Sequence, residues 1–267
     1  MKRLSVIIVV ALAALGAFFL LRSGGGDAAN DTATHAGDIR REIRIGTEGA
    51  YPPFNYIDEK GQLNGFDIDM VKAMCEEAKF RCTFVAQDWD GLIPGLLTHK
   101  YDAIAASMSI TEERRKTVDF TNRYYRTPIR FVTRRDSLLV VSAEGMEGKT
   151  IGVQRATTSA SYLRDTFGNA VSVRYYDTQE NAYLDLTAGR IDAVLADAIQ
   201  LWKWLQGADG QNYDFRGETI YVDDGIGIAI RKGDEELANA FNQALQGIRA
   251  NGTYDAISNR YFPFSIY

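Results

Sequence analysis

The sequence predicts an α/β protein made of two lobes of like architecture. Two observations carry this. Short apolar strand-like runs alternate with amphipathic helical stretches from Glu42 almost to the end of the chain. In addition, Lys100-Tyr101-Asp102-Ala103-Ile104 is echoed by Arg190-Ile191-Asp192-Ala193-Val194, each following a helix and entering a buried strand. Strands alternating with helices give α/β layers with largely parallel sheets, and one distant echo means paired lobes, because the period is far too long for a solenoid.

The elements follow in order. Glu42–Thr47 alternates Ile43 and Ile45, the mark of a short strand. Asp67–Lys79 carries Ile68, Val71, Met74, Cys75 and Ala78 on one helical face, with Asp67 as the expected cap. Phe80–Val85 is a strand, Leu92–Thr98 a helix and Ala103–Ala106 a buried strand. Thr111 caps a short helix over Glu112–Val118. The pattern restarts after Arg126: strands at Ile129–Thr133, Thr150–Val153, Val171–Tyr175 and Ile191–Ala196, helices at Ala160–Phe167, Gln179–Ala188 and Ile199–Leu205. Segments Thr219–Val222 and Gly227–Ile230 precede a helix over Glu235–Asn251, which is expected to return to the first lobe. That return gives two crossovers, near 126–129 and 223–227, and hence a hinge.

The 267 residues are 46% hydrophobic and 24% charged, an ordinary globular balance that suits one large domain or two lobes. A net charge of −5 gives no field favouring nucleic acid, and the arginines of the 114–135 stretch read as solvated surface. Lys2 and Arg3 precede an apolar run, Leu4–Leu21, followed by Arg22 and a glycine-rich tract. Residues 1–26 therefore form a signal peptide or an uncleaved membrane anchor, and residues 27–40 a tether. Either way the C-terminal body is exported to the periplasm. There Cys75 and Cys82, seven apart, are free to pair, and two buried thiols are the other reading. Two cysteines with His35 and His99 are too few soft ligands for a metal site, and no cofactor is expected.

A free amino acid needs a cationic fork for its carboxylate and an anion for its ammonium. Arg114 supplies the first, and Asp197, at the end of a buried strand, the second. Ser107 and Ser109 flank Met108 after another buried strand, and Thr157-Thr158-Ser159 precede a helix, where hydroxyls and free amides receive carboxylates.

Four motifs in the first half, EGAYPPF (48–54), GFDIDM (65–70), DWDGLIPGL (88–96) and DAIAASMSITEERR (102–115), make the chain resemble periplasmic polar-amino-acid-binding proteins of ABC transporters, solute-binding protein family 3. The second half adds GKTIGVQRATTSASY (148–162), DLTAGRIDAVLAD (185–197), GIGIAIRKGD (225–234) and NGTYDAISNRYF (251–262). The resemblance is strongest to the lysine/arginine/ornithine- and histidine-binding branch, with some opine-binding features. It implies a two-lobed periplasmic binding protein fold, with two mixed, mostly parallel sheets joined by two hinge crossovers. Lobe 1 would be 41–126 plus 228–267 and lobe 2 would be 127–227. It implies that Arg114 forks the α-carboxylate with Ser109 and Thr158, and that Asp197 and Ser107 take the α-ammonium. Tyr51 and Trp89 would sandwich the side chain, and Glu48 would face its distal cation. It also implies a Cys75–Cys82 disulfide, a monomer and an ABC permease as partner. Three departures loosen the side-chain reading: Ala106 for serine, Gln154-Arg155 for an apolar and a small polar residue, and Glu48 for a shorter aspartate.

The leading expectation is a binding protein, not an enzyme, for a cationic L-amino acid: arginine first, then lysine, ornithine or histidine, then an opine. Alternatives are a cyclohexadienyl dehydratase-like enzyme on the same fold, which needs a general acid in the cleft, and a membrane-tethered amino-acid sensor.

Overall fold

The computed structural model describes residues 40–267. The expectations for segment 1–26, and for the tether up to residue 39, lie outside the described residues. In chain order the first elements are β1 (Glu42–Thr47), β2 (Ala50–Tyr51), β3 (Asn55–Ile57), β4 (Leu63–Asn64), α1 (Phe66–Glu77), β5 (Arg81–Ala86), α2 (Leu92–Leu97), β6 (Ala103–Ile104), α3 (Glu112–Arg115) and β7 (Val118–Phe120). The second sheet takes β8 (Ile129–Arg134), β9 (Thr150–Gln154), β10 (Ser172–Tyr176), β11 (Ala193–Asp197) and β12 (Tyr213–Ile220), with α4 (Thr158–Phe167), α5 (Gln179–Thr187) and α6 (Ala198–Leu205) between them. The chain then closes with β13 (Ala229–Arg231), α7 (Glu235–Ala250) and α8 (Thr253–Tyr261).

Of the two five-stranded sheets, one has the order β5-β1-β6-β13-β7 and the other β10-β9-β11-β8-β12, and β2, β3 and β4 form a small third sheet. The chain leaves the first sheet after Phe120 and enters the second at Ile129, then returns between Ile220 and Ala229. In each five-stranded sheet the strand second from one edge pairs in parallel with both neighbours, β1 with β5 and β6, β9 with β10 and β11. The strands next to the crossovers pair antiparallel, β13 with β6 and β7, β8 with β11 and β12. The sheets are thus mixed, with the parallel share at half rather than the expected majority. Only the strands linked by helical crossovers need to run parallel; those that carry the chain between lobes reverse direction.

The core of the first lobe joins both ends of the body. Ile43 and Ile45 of β1 point inward and pack with Met70, Val71 and Met74 of α1 and with Leu237, Phe241 and Leu245 of α7. The spacing of Leu237, Phe241, Ala244, Leu245 and Ile248 puts one apolar stripe of α7 on this core. Each buried leucine, isoleucine or phenylalanine of this stripe contributes about 1.5–3 kcal/mol by leaving water. The final long helix, α7, shares this core with β1 and α1. Cys75 of α1 and Cys82 of β5 are joined in a disulfide.

Several local expectations are corrected. Asp67 is not a cap: α1 starts at Phe66 behind Gly65, whose φ of 121° and whose close approach to the Phe54 carbonyl leave no room for a side chain. Asp67 lies in the first turn, fully buried. The helix expected over Glu112–Val118 ends at Arg115, because Val118 is drawn into strand β7 beside β13. The strand expected at Thr219–Val222 is the tail of the longer β12, which has a register irregularity between Arg216 and Ile220. The helix expected from Ala160 starts at Thr158, with the Thr157 hydroxyl accepting from the Ala160 amide.

Candidate functional site

The two sheets face each other across a cleft with about 510 Å³ of empty space, part of it open to solvent. All eight residues expected to touch a ligand line it: Glu48, Tyr51, Trp89, Ser107, Ser109, Arg114, Thr158 and Asp197. They come from the segment after β1, from β2, from the turn before α2, from the segment after β6, and from α3, the start of α4 and the end of β11.

Arg114 is placed by a chain of local bonds. The Thr111 hydroxyl accepts the Arg114 amide at 3.2 Å and fixes α3. The guanidinium then donates Nη1 to the Ser109 carbonyl at 2.9 Å and Nη2 to the Ala156 carbonyl at 3.2 Å, and sits 5.2 Å from the centre of the Trp89 ring. The Trp89 indole also donates to the Ala156 carbonyl, at 3.3 Å. One backbone carbonyl of the second lobe therefore receives two side chains of the first. Burial lowers the Arg114 guanidinium to about 10, the nearby Asp223 acting in the opposite direction.

Asp197 ends β11 and caps α6. Its Oδ1 accepts from the Ile199 amide at 2.8 Å, the Gln200 amide at 3.2 Å and the Thr127 hydroxyl at 2.7 Å. Burial raises its carboxyl to about 7 despite those donors. Ser107 has a left-handed backbone, φ 52°, and its amide donates to Asp67 Oδ2 at 2.8 Å while its hydroxyl bonds that of Tyr125. The same Asp67 oxygen accepts from Asn55 Nδ2 at 3.0 Å, and Asn55 Oδ1 accepts the Gly49 amide at 2.9 Å. The buried acid of the GFDIDM motif thus ties Ser107 to the Glu48–Tyr51 segment.

At the other end of the cleft Glu48 is buried, and burial raises it to about 7. Gln154 Nε2 donates to Glu48 Oε1 at 2.6 Å and to the Asp177 carbonyl at 3.0 Å, so both its N–H bonds are used. Tyr51 lines the cleft with Glu48 and Asp197, and burial drives its phenol well up. Arg155 lies at the mouth, pairing with Asp177 and lying 3.6 Å from Asp90 of the first lobe.

Four polar wall residues were not expected there: Thr127, Gln179, Asp223 and, as a partner of Glu48, Gln154. Thr127 and Asp223 lie on the crossovers, where sequence pattern marks only a connection. Asp223 accepts from the Gly225 amide at 2.9 Å, and burial raises its carboxyl. The cleft combines one buried cation with three acids, among hydroxyls and two aromatic rings. Its chemistry is that of a receptor for a small zwitterion carrying an extra positive charge.

The family model for bacterial extracellular solute-binding proteins, family 3, matches residues 43–264. An L-arginine-binding protein of Pseudomonas aeruginosa is 46% identical over 233 residues, 85% of this chain and 90% of the relative. A lysine/arginine/ornithine-binding periplasmic protein of Escherichia coli K12 is 38% identical over 231 residues, 84% of this chain and 89% of the relative. Among solved structures, an ancestral arginine-binding protein bound to arginine is 37% identical with a TM-score of 0.79, covering 84% of this chain and 99% of that one. The chain belongs to the bacterial extracellular solute-binding proteins, family 3.

Proposed function

We propose that this family member captures a cationic L-amino acid in the periplasm, arginine before lysine, ornithine or histidine, and delivers it to the membrane subunits of an ABC permease. The reading is of a binding function with no chemistry on the ligand. Its relatives' names, which specify arginine and lysine/arginine/ornithine, support the choice of ligand.

The observation that carries it is Glu48. This buried carboxylate has a neutral amide as its hydrogen-bond partner, and no ion pair reaches it among the described residues. A carboxylate held out of water without a counter-charge favours protonation unless a cation arrives. A guanidinium or ammonium of the ligand supplies that cation. At the opposite end Arg114 takes the α-carboxylate with Ser109 and Thr158, and Asp197 and Ser107 take the α-ammonium. Tyr51 and Trp89 flank the aliphatic stem.

Hinges at 126–129 and 223–227 would let lobe 1, 41–126 plus 228–267, close on lobe 2, 127–227, and the closed pair would be the monomeric form a permease reads. A thermal-shift screen tests this. Arginine at about a hundred times its Kd adds about 2.7 kcal/mol to stability, a rise of several degrees. Silence with every cationic amino acid, together with a shift with glutamate, contradicts the reading.

A further inference from the structure

We infer that the cleft also accepts cationic amino acids whose carboxyl group is condensed as an amide, including a basic residue at the N-terminus of a dipeptide, and that Asp223 is the residue that sets this tolerance. The inference rests on the cationic reading of the cleft above.

Two independent observations lead to it. The first is the placing of Asp223. It lines the cleft together with Arg114, Ser109 and Asp197. Ser109 lies beside both groups: its carbonyl accepts from Arg114 Nη1 at 2.9 Å, and its side chain shares the cleft wall with Asp223. A free carboxylate offers only acceptors, which suit Arg114 and are repelled by an adjacent acid. An amide offers a carbonyl acceptor and an N–H donor. Arg114 and Asp223, which line the same cleft, supply the complementary set of a donor and an acceptor.

The second observation is a larger, solvent-open groove next to the cleft. It shares Arg114, Thr157, Thr158 and Asp223 with the cleft, so the two spaces adjoin at the carboxyl end of the site. Its other walls mix Ile93, Ile110, Tyr162 and Val222 with the charged Glu113 and Arg164, a setting that can receive the body of an attached residue. A ligand that ended at its carboxylate would leave this space unused. A residue attached through an amide would enter it, while its α-ammonium and side chain kept Asp197 and Glu48.

The test is calorimetric titration of the full exported body with L-arginine, L-argininamide and L-arginyl-L-leucine, repeated on Asp223→Asn. Asparagine keeps an oxygen for the Gly225 amide and removes the charge, so the fold is retained; a melting curve checks it. The wild type is expected to bind argininamide within about tenfold of arginine. In Asp223→Asn the affinity ratio is expected to move at least about fivefold toward arginine, through tighter arginine and weaker amide. A ratio unmoved within about twofold, with arginine still bound by both proteins, overturns the inference alone. Failure of the wild type to bind any of the three overturns it together with the cationic reading.

Discussion

Gln154 Nε2 donates to Glu48 Oε1 at 2.6 Å, across the cleft from one lobe to the other. The bond ties a second-lobe strand end to the acid proposed to answer the ligand's distal charge. It satisfies one oxygen of Glu48 without neutralising it, so the carboxylate stays available to a cation. Glu48→Gln should therefore weaken arginine binding by about 10- to 100-fold, the loss of one charge-assisted contact. Glutamine binding should change by less than about threefold. Equal losses for both ligands in calorimetry would place Glu48 outside the side-chain pocket.

Binding should depend on pH with a definite sign. Glu48 and Asp197 are raised to about 7 in the ligand-free cleft, above their unfolded values near 4. The folded protein then holds more protons than the unfolded chain between about pH 4 and 7, so these groups lower stability as pH rises through that window. A cationic ligand favours the ionised forms. Arginine affinity should fall between pH 7.5 and 6, on the order of tenfold for each carboxylate it pairs with, and protons should be released on binding near neutrality. Titration in buffers of different ionisation enthalpy measures the release; proton uptake would contradict the assignment.

Asp197→Ala should abolish amino-acid binding, and it should also lower stability by about 1–2 kcal/mol. The carboxylate caps α6 as well as facing the cleft, and loss of such a cap has this effect. Denaturant unfolding separates the two consequences. Retained binding would remove Asp197 from the ammonium site.

Asp67→Ala should destabilise the protein by about 3 kcal/mol or more, because Asn55 Nδ2, the Ser107 amide and the Tyr124 hydroxyl all lose their acceptor in a buried place. Binding should weaken as well, since Ser107 and the Glu48–Tyr51 segment lose their common tie. A variant as stable as the parent by urea unfolding would show that those donors find other partners.

Much of this was legible in the sequence where a pattern has length. The alternation of Ile43 and Ile45 marked β1, and the apolar stripe from Leu237 to Ile248 marked α7. The eight expected cleft residues lie within recurring motifs, and the fold brings them to one space. Strands β2, β3 and β4 were missed because two or three residues carry no period. Asp67 looks like a cap in sequence because an acid at a helix start is usually exposed; only the packing of Asn55, Ser107 and Tyr124 around it shows otherwise. Asp223 and Thr127 lie on crossovers, and no local signal tells a connecting acid from one that the fold turns into a cleft. Gln154 reads in sequence as a departure that loosens the side-chain inference. In the structure it is the partner of Glu48.

The most direct test of the central claim is calorimetric titration of the ligand-stripped exported body with L-arginine, with L-glutamate and L-glutamine as comparators. The account predicts a Kd for arginine in the micromolar range or tighter, weak binding of glutamine and no heat from glutamate. Binding of glutamate as tight as that of arginine, or silence with arginine and lysine alike, would contradict it.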